Sequence, residues 1–271
     1  MILGSLGLRR AASLSLIIVI GLSTTIYSGL AQSETCSLPS QYAGVTFPIE
    51  NVDPGWACRL QAIVDNYTTV SKVGPIRTDL SESLYDRLLD RPPLAAALIN
   101  RLDLGLYKSE ARGPGRFWGN DGEGTEGIVQ LVYEDRTSRI YYLEGSHDSR
   151  LLPHITGKAV VFLRMNSVKD AIEMEAMDST MVSYTKLDNR ILSGLVSLLR
   201  PFIGGTVTRK LGKGVETVNR LSHLMRQHPD RVLFETMDPP ALPDDDVAFV
   251  KHALEHLSHS SGAAPSRTIS P

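Results

Sequence analysis

Two cysteines, two tryptophans and seven histidines in 271 residues leave this chain short of the side chains that build metal centres and disulfide-dense scaffolds. Cys36 and Cys58 have neither a second cysteine nor a histidine at ligand spacing, so no metal site is expected. Charge of one sign is missing too. With 28 Lys and Arg against 30 Asp and Glu, the formal net charge is -2, and nothing in that balance calls for nucleic acid. No internal repeat is visible. No phosphate-binding loop is present either: Gly113-Pro114-Gly115 carries a proline where a backbone donor is needed, and no helix follows it. Asn120-Asp121-Gly122-Glu123-Gly124 lacks the alternating oxygen ligands of a calcium loop and reads as a hairpin turn. No cofactor is expected.

What is present begins with residues 1–31, which read as an export signal. Arg9 and Arg10 precede an apolar run over 14–22, and Gly29-Leu30-Ala31 offers small residues for cleavage. The competing reading is an uncleaved N-terminal anchor, since 13–31 is just long enough to cross a bilayer. Ser23, Thr24, Thr25 and Ser28 weaken that reading. The mature chain then starts near Gln32 in a periplasmic or extracellular compartment, where Cys36 and Cys58 are expected to pair. Such a bridge closes a loop of about twenty residues and stabilises by about 3 kcal/mol. Two free or buried thiols are the alternative.

Residues 32–67 form a stapled extension rich in turn formers, with a short helix over 56–66. The main domain spans 68–234. A first strand over 68–72 leads to Asp79-Leu80-Ser81-Glu82, a capped helix start running to 89, and Pro93 opens a second helix to 102. Strands are expected over 107–118 (bent at Gly113-Pro114-Gly115), 127–134, 139–144, 159–165 and 179–187, antiparallel because their connections are short. From near Asn189 the apolar positions Leu192, Leu195, Leu199, Phe202, Val207, Leu211, Val215, Val218, Leu221 and Met225 advance by three or four, one buried stripe of a long helix. Pro201 and Gly204-Gly205 predict a kink in it. Gly212 and Gly214 either loosen packing or admit something bulky against the backbone. Residues 235–271 read as an acidic, proline-rich linker, a short helix over 247–257 and a disordered tail.

The fold class is therefore α+β, a helix grip in which a curved antiparallel sheet wraps a long C-terminal helix, with two short helices near the N-terminal end. This order of elements resembles the START-like, or Bet v 1-like, superfamily, also called polyketide cyclase-like in bacteria. The resemblance covers residues 68–226. It rests on topology and on three stretches: Trp118-Gly119-Asn120-Asp121-Gly122, residues 139–144 and residues 180–199. It implies a cavity between sheet and helix that holds a lipid or other hydrophobic small molecule, with enzymes in the minority. Export, the stapled extension and the acidic tail depart from that superfamily's common pattern.

Residue chemistry nominates the lining of such a cavity: Tyr107, Trp118, Tyr133, Tyr141, Tyr142 and Tyr184 for aromatic surface, Arg164 for an anionic group, and Leu195, Leu199 and Phe202 from the helix. Alternation puts Tyr141 and Tyr142 on opposite faces, so at most one of them touches ligand. Glu144, His147, Asp148 and His154 are the one polar grouping available for acid–base chemistry, set in a loop over 145–157 without a nucleophile. That loop and the kink near Pro201 are expected to open the cavity. The leading reading is an exported carrier or sensor of a hydrophobic small molecule or lipid. A cyclase- or hydrolase-type enzyme and an interaction module with a filled pocket are the alternatives. Between Lys186 and Arg226, eight Lys or Arg face two acids, a basic helix face that reads as solvated surface or as a peripheral contact with an anionic membrane.

Overall fold

The computed structural model describes residues 36–148, 154–169, 174–188 and 196–261; of 196–203 and 258–261 only the backbone is described. The expected export signal or anchor lies outside the described residues, as do the start of the long helix and the tail beyond 261.

The described residues open with a hairpin, β1 (Gln41–Tyr42) and β2 (Val45–Thr46), a single 3-10 turn (Ile49–Asn51) and α1 (Pro54–Val64). Asp53 caps α1 by accepting from the amides of Gly55 and Trp56 at 2.9 and 3.2 Å, and Pro54 fills the first turn, where no amide donor is needed. Cys36 and Cys58 are joined, with Cα atoms 5.0 Å apart, as the spacing led us to expect. Then follow β3 (Thr69–Thr78), α2 (Glu82–Asp90) and α3 (Pro92–Arg101). Ser81 caps α2 through the Leu84 amide at 3.4 Å, the capped start legible in the sequence.

Six strands complete the sheet: β4 (Lys108–Gly113), β5 (Arg116–Asn120), β6 (Thr125–Glu134), β7 (Ser138–His147), β8 (Ile155–Lys169) and β9 (Glu175–Leu187). Their order is β3-β9-β8-β7-β6-β5-β4, antiparallel throughout, so the first strand of the sheet pairs with the last. Two expectations are corrected here. The expected single strand over 107–118 is a hairpin, because Gly113 and Gly115 at φ +137 and +58 reverse the chain instead of bending it. The expected loop after Glu144 is sheet: β7 runs on to His147, which pairs with Ile155.

α4 (Val196–Gln227), α5 (Pro229–Met237) and α6 (Asp244–Ser261) follow. α4 is continuous through Pro201 and Gly204-Gly205. It lies along β3, where Thr208 donates to Ser71 at 2.9 Å and Thr78 to Asn219 at 2.5 Å. At Gly204 a Cβ would sit 2.8 Å from Thr69 Oγ1, so this glycine admits the strand; Gly212 and Gly214 face open space.

Alternation along the strands builds a core on each face of the sheet. On the inner face Leu163, Met165, Met177 and Met181 pack with α2, α3, Leu221 and Met225 of α4, Val232 of α5, and Val250 and Leu254 of α6. α6 thus contributes Val250, Leu254 and Leu257 to the inner core. On the outer face Ile140, Val160, Phe162 and Val182, all fully buried, pack against Tyr42, Phe47, Leu60 and Ile63 of the stapled extension. Tyr42 stacks on Phe162 with centroids 4.0 Å apart, and Tyr184 meets Tyr42 edge-on at 5.6 Å. Such aromatic pairs contribute about 0.5–1.5 kcal/mol each beyond area burial. The extension is a second layer over the sheet.

Candidate ligand cavity

Between the inner face of the sheet and α2, α3 and α4 lies a cavity of about 720 Å³. Cavities of roughly 300–1,000 Å³ hold drug- or lipid-sized molecules. Strand register explains its shape. Phe117, Val129, Leu143, Ala159 and Thr185 stand opposite one another across β5 to β9 and form an inward row. Two residues further along each strand, the next inward row reads Gly119, Gly127, Gly145 and Gly157. A Cβ on Gly127 would stand 2.5 Å from the Glu144 carbonyl oxygen, and one on Gly145 2.3 Å from that of Glu126. At Gly127, Gly145 and Gly157 the neighbouring strand's backbone stands too close to admit a side chain. The same missing side chains leave the hollow. Leu88 and Ile99 close it from α2 and α3, and Val207, Leu211 and Val218 from α4.

One end of the cavity is polar. Thr125 shares a 2.9 Å hydrogen bond with His147 Nδ1. Beside them the β5–β6 turn is tied to α4: Lys210 pairs with Asp121 and, at 3.5 Å, with Glu123, and Lys213 pairs with Glu123. Burial works to raise the Asp121 carboxyl, but its bonds from Lys210 and from the Thr125 and Glu123 amides hold it below the ordinary range. The Lys213 bond does the same for Glu123. Two lysines and two carboxylates therefore compensate one another. Arg226 is also engaged, donating to the carbonyls of Asp79 and Glu175, so much of the basic run on α4 is bonded within the protein.

Six residues back along β7, about 20 Å at strand rise, the other end is capped by Tyr85 of α2 and Tyr141. Ser179 donates to the Tyr85 hydroxyl at 2.9 Å. Burial pushes the Tyr141 hydroxyl up to about 12, against the pull of Arg139 beside it. Arg139, two residues before Tyr141 on the same face, is 5% exposed and bonds Asp90 at 2.6 Å and Asp86 at 3.4 Å.

No family model and no curated protein matches this sequence. Among solved structures the chain is similar to a conserved protein from Geobacillus kaustophilus, at TM-score 0.41 and 10% identity over 57% of this chain and 93% of that one. It is also similar to apo dicamba monooxygenase, at TM-score 0.30 and 13% identity over 78% of this chain and 63% of that one. The large antiparallel sheet and long helix are compatible with a helix-grip-like layout.

Of the nominated lining residues, Tyr107 and Tyr141 border the cavity on its inner side. The Tyr107 amide is fixed by Asn100 Oδ1 at 2.7 Å. Trp118 falls in the outward row with Ile128 and Glu144, so its backbone borders the hollow and its ring points away. Tyr133, Tyr142 and Tyr184 belong to the outer core: Tyr133 donates to Asp135 at 2.9 Å, Tyr142 packs on Trp56, and Tyr184 on Tyr42 and Tyr67. Arg164 shares their face and donates to Ser138 at 3.0 Å. Leu195 lies outside the described residues, and Leu199 and Phe202 are described by backbone alone.

The polar grouping is dispersed. Glu144 faces outward, accepting from Tyr142 at 3.1 Å and standing 3.6 Å from Lys158. Asp148 pairs with His154 at 2.7 Å, both exposed, while His147 alone looks inward. Among the described residues no three metal-ligating side chains converge. Sequence reasoning missed Tyr85 and the glycine row. The row was present as glycines at matched strand positions, but only the register shows that they are neighbours.

Proposed function

We propose that this chain is an exported binding or carrier protein that holds a hydrophobic small molecule or lipid between its sheet and α4. The observation that carries the reading is the cavity of about 720 Å³ walled by Phe117, Val129, Leu143, Ala159, Ile99 and Leu211. Burying an apolar ligand there contributes roughly 25 cal/mol per Å² removed from water. The disulfide supports an oxidising compartment, and among the described residues no helix is long and apolar enough to cross a membrane. The START-like, helix-grip resemblance agrees with this reading.

The test uses residues 32–271 and the neutral fluorescent probe N-phenyl-1-naphthylamine. Saturable one-site binding in the micromolar range is expected. Ala159→Phe, which fills the middle of the inward row, should weaken it at least tenfold with little change in melting temperature. Absence of saturable binding to the wild type would remove the carrier reading and favour a module with a filled pocket.

A further inference from the structure

We infer that Tyr85 and Tyr141 form a two-hydroxyl anchor at the end of the cavity remote from His147, and that the bound molecule is neutral and presents a carbonyl-type oxygen to it. This deepens the binding reading above and rests on it.

Both tyrosines line the cavity, from different elements. The Tyr85 oxygen already accepts from Ser179, so what it has left to offer is its own O–H. The Tyr141 oxygen is likewise hydrogen-bonded by the Arg139 guanidinium, which can only donate, so there too the O–H is what is left to offer, in a residue deep in the protein. Buried polar groups normally have their bonding capacity used, and two phenol O–H donors at the edge of an apolar hollow mark where a ligand atom supplies the bond. Arg139 biases what that atom can be. Its guanidinium lies beside Tyr141, and its Nε–H is buried without a partner. A cation on the oxygen side of the phenol leaves the O–H to point outward as a donor. Two donors converging on an apolar space suit an acceptor oxygen.

Charge selects against an anion. Arg139 is covered by Asp90 and Asp86, with Glu134 at 3.7 Å, and Lys210 at the opposite end is held by Asp121 and Glu123. Among the described residues, Arg139 and Lys210 at the two ends of the cavity are each already paired with carboxylates, so a ligand carboxylate held at either end would be desolvated without a free counter-charge. A ketone, aldehyde, ester or amide oxygen meets the donors at no such cost.

The test pairs two neutral probes in the protein spanning residues 32–271. One is 6-propionyl-2-(dimethylamino)naphthalene, whose emission moves to the red when its ketone accepts a hydrogen bond; the other is 2-(dimethylamino)naphthalene, which lacks the ketone. The wild type should bind the ketone about tenfold more tightly than its parent, with red-shifted emission. Tyr141→Phe should lose about five- to tenfold on the ketone, shift its emission to the blue and leave the parent unchanged. Adding Tyr85→Phe should abolish the remaining difference. Equal wild-type affinities for the two probes, or a double variant that keeps the ketone preference and the red emission, would overturn the anchor while leaving the cavity reading in place. Failure of both probes to bind the wild type would overturn both. The wild-type comparison decides the matter even where a variant folds poorly.

Discussion

Removing the single disulfide tests the two-layer architecture most directly. In Cys36→Ser/Cys58→Ser the unfolded chain regains the freedom of a loop spanning 22 residues, an entropy worth about 3 kcal/mol at 25 °C. For a domain of this size each kcal/mol moves the melting temperature by roughly 2–4 °C, so a fall of about 6–12 °C is expected. Urea unfolding should show the same loss as a lower midpoint at nearly constant slope. The location of the effect matters as much as its size. The bridge holds the segment that delivers Tyr42 and Phe47 onto Phe162, on the face of the sheet opposite the cavity. Hydrogen exchange should therefore rise over residues 38–66, while affinity for N-phenyl-1-naphthylamine stays within about twofold of the wild type at a temperature where both are folded. A melting temperature within about 2 °C of the wild type would refute the loop-entropy argument. A collapse of probe binding in the folded variant would refute the separation of the two faces.

Gly145→Val should destabilise by about 1–3 kcal/mol in urea, because its Cβ would sit 2.3 Å from the Glu126 carbonyl oxygen and backbone must move to admit it. Gly205→Ala, where no atom lies within 4 Å of the new Cβ, should instead stabilise α4 by about 0.5–1 kcal/mol. The tie between the β5–β6 turn and α4 should be visible in a pH series of melting temperatures. Asp121 and Glu123 have folded values below their ordinary ones, so their contribution is complete above the unfolded carboxylate range near about 4 and is lost as pH falls through the lower folded values. Lys210→Met should flatten that acid limb, and an unchanged limb would show that the pairs contribute nothing.

Helix grip, disulfide and antiparallel sheet were legible because each rests on local pattern: Ser81 before an apolar run, Pro93 at a helix start, two cysteines with no competitors, period-two strands, and a stripe to Met225 that ends within two residues of α4. The β4–β5 hairpin was not, since Gly113-Pro114-Gly115 fits a bend and a reversal equally and only pairing of Lys108 with Asn120 decides. The phase of each strand relative to the cavity was likewise open. One face of this sheet is covered by helices and the other by the N-terminal layer, so apolar side chains stand on both sides, and Tyr142 and Tyr184 look as much like lining as Tyr141 does.

By itself, then, the order of residues determined the staple, the capped helices and most of the strands, because capping, periodicity and cysteine count act within a few residues of one another. Only the tertiary structure decided where the hollow lies and what faces it. Register brings Gly119, Gly127, Gly145 and Gly157 into one row, and Tyr85 of α2 reaches Tyr141 of β7 across 56 positions of chain. Those meetings are set by the packing of distant elements, which no short-range pattern encodes.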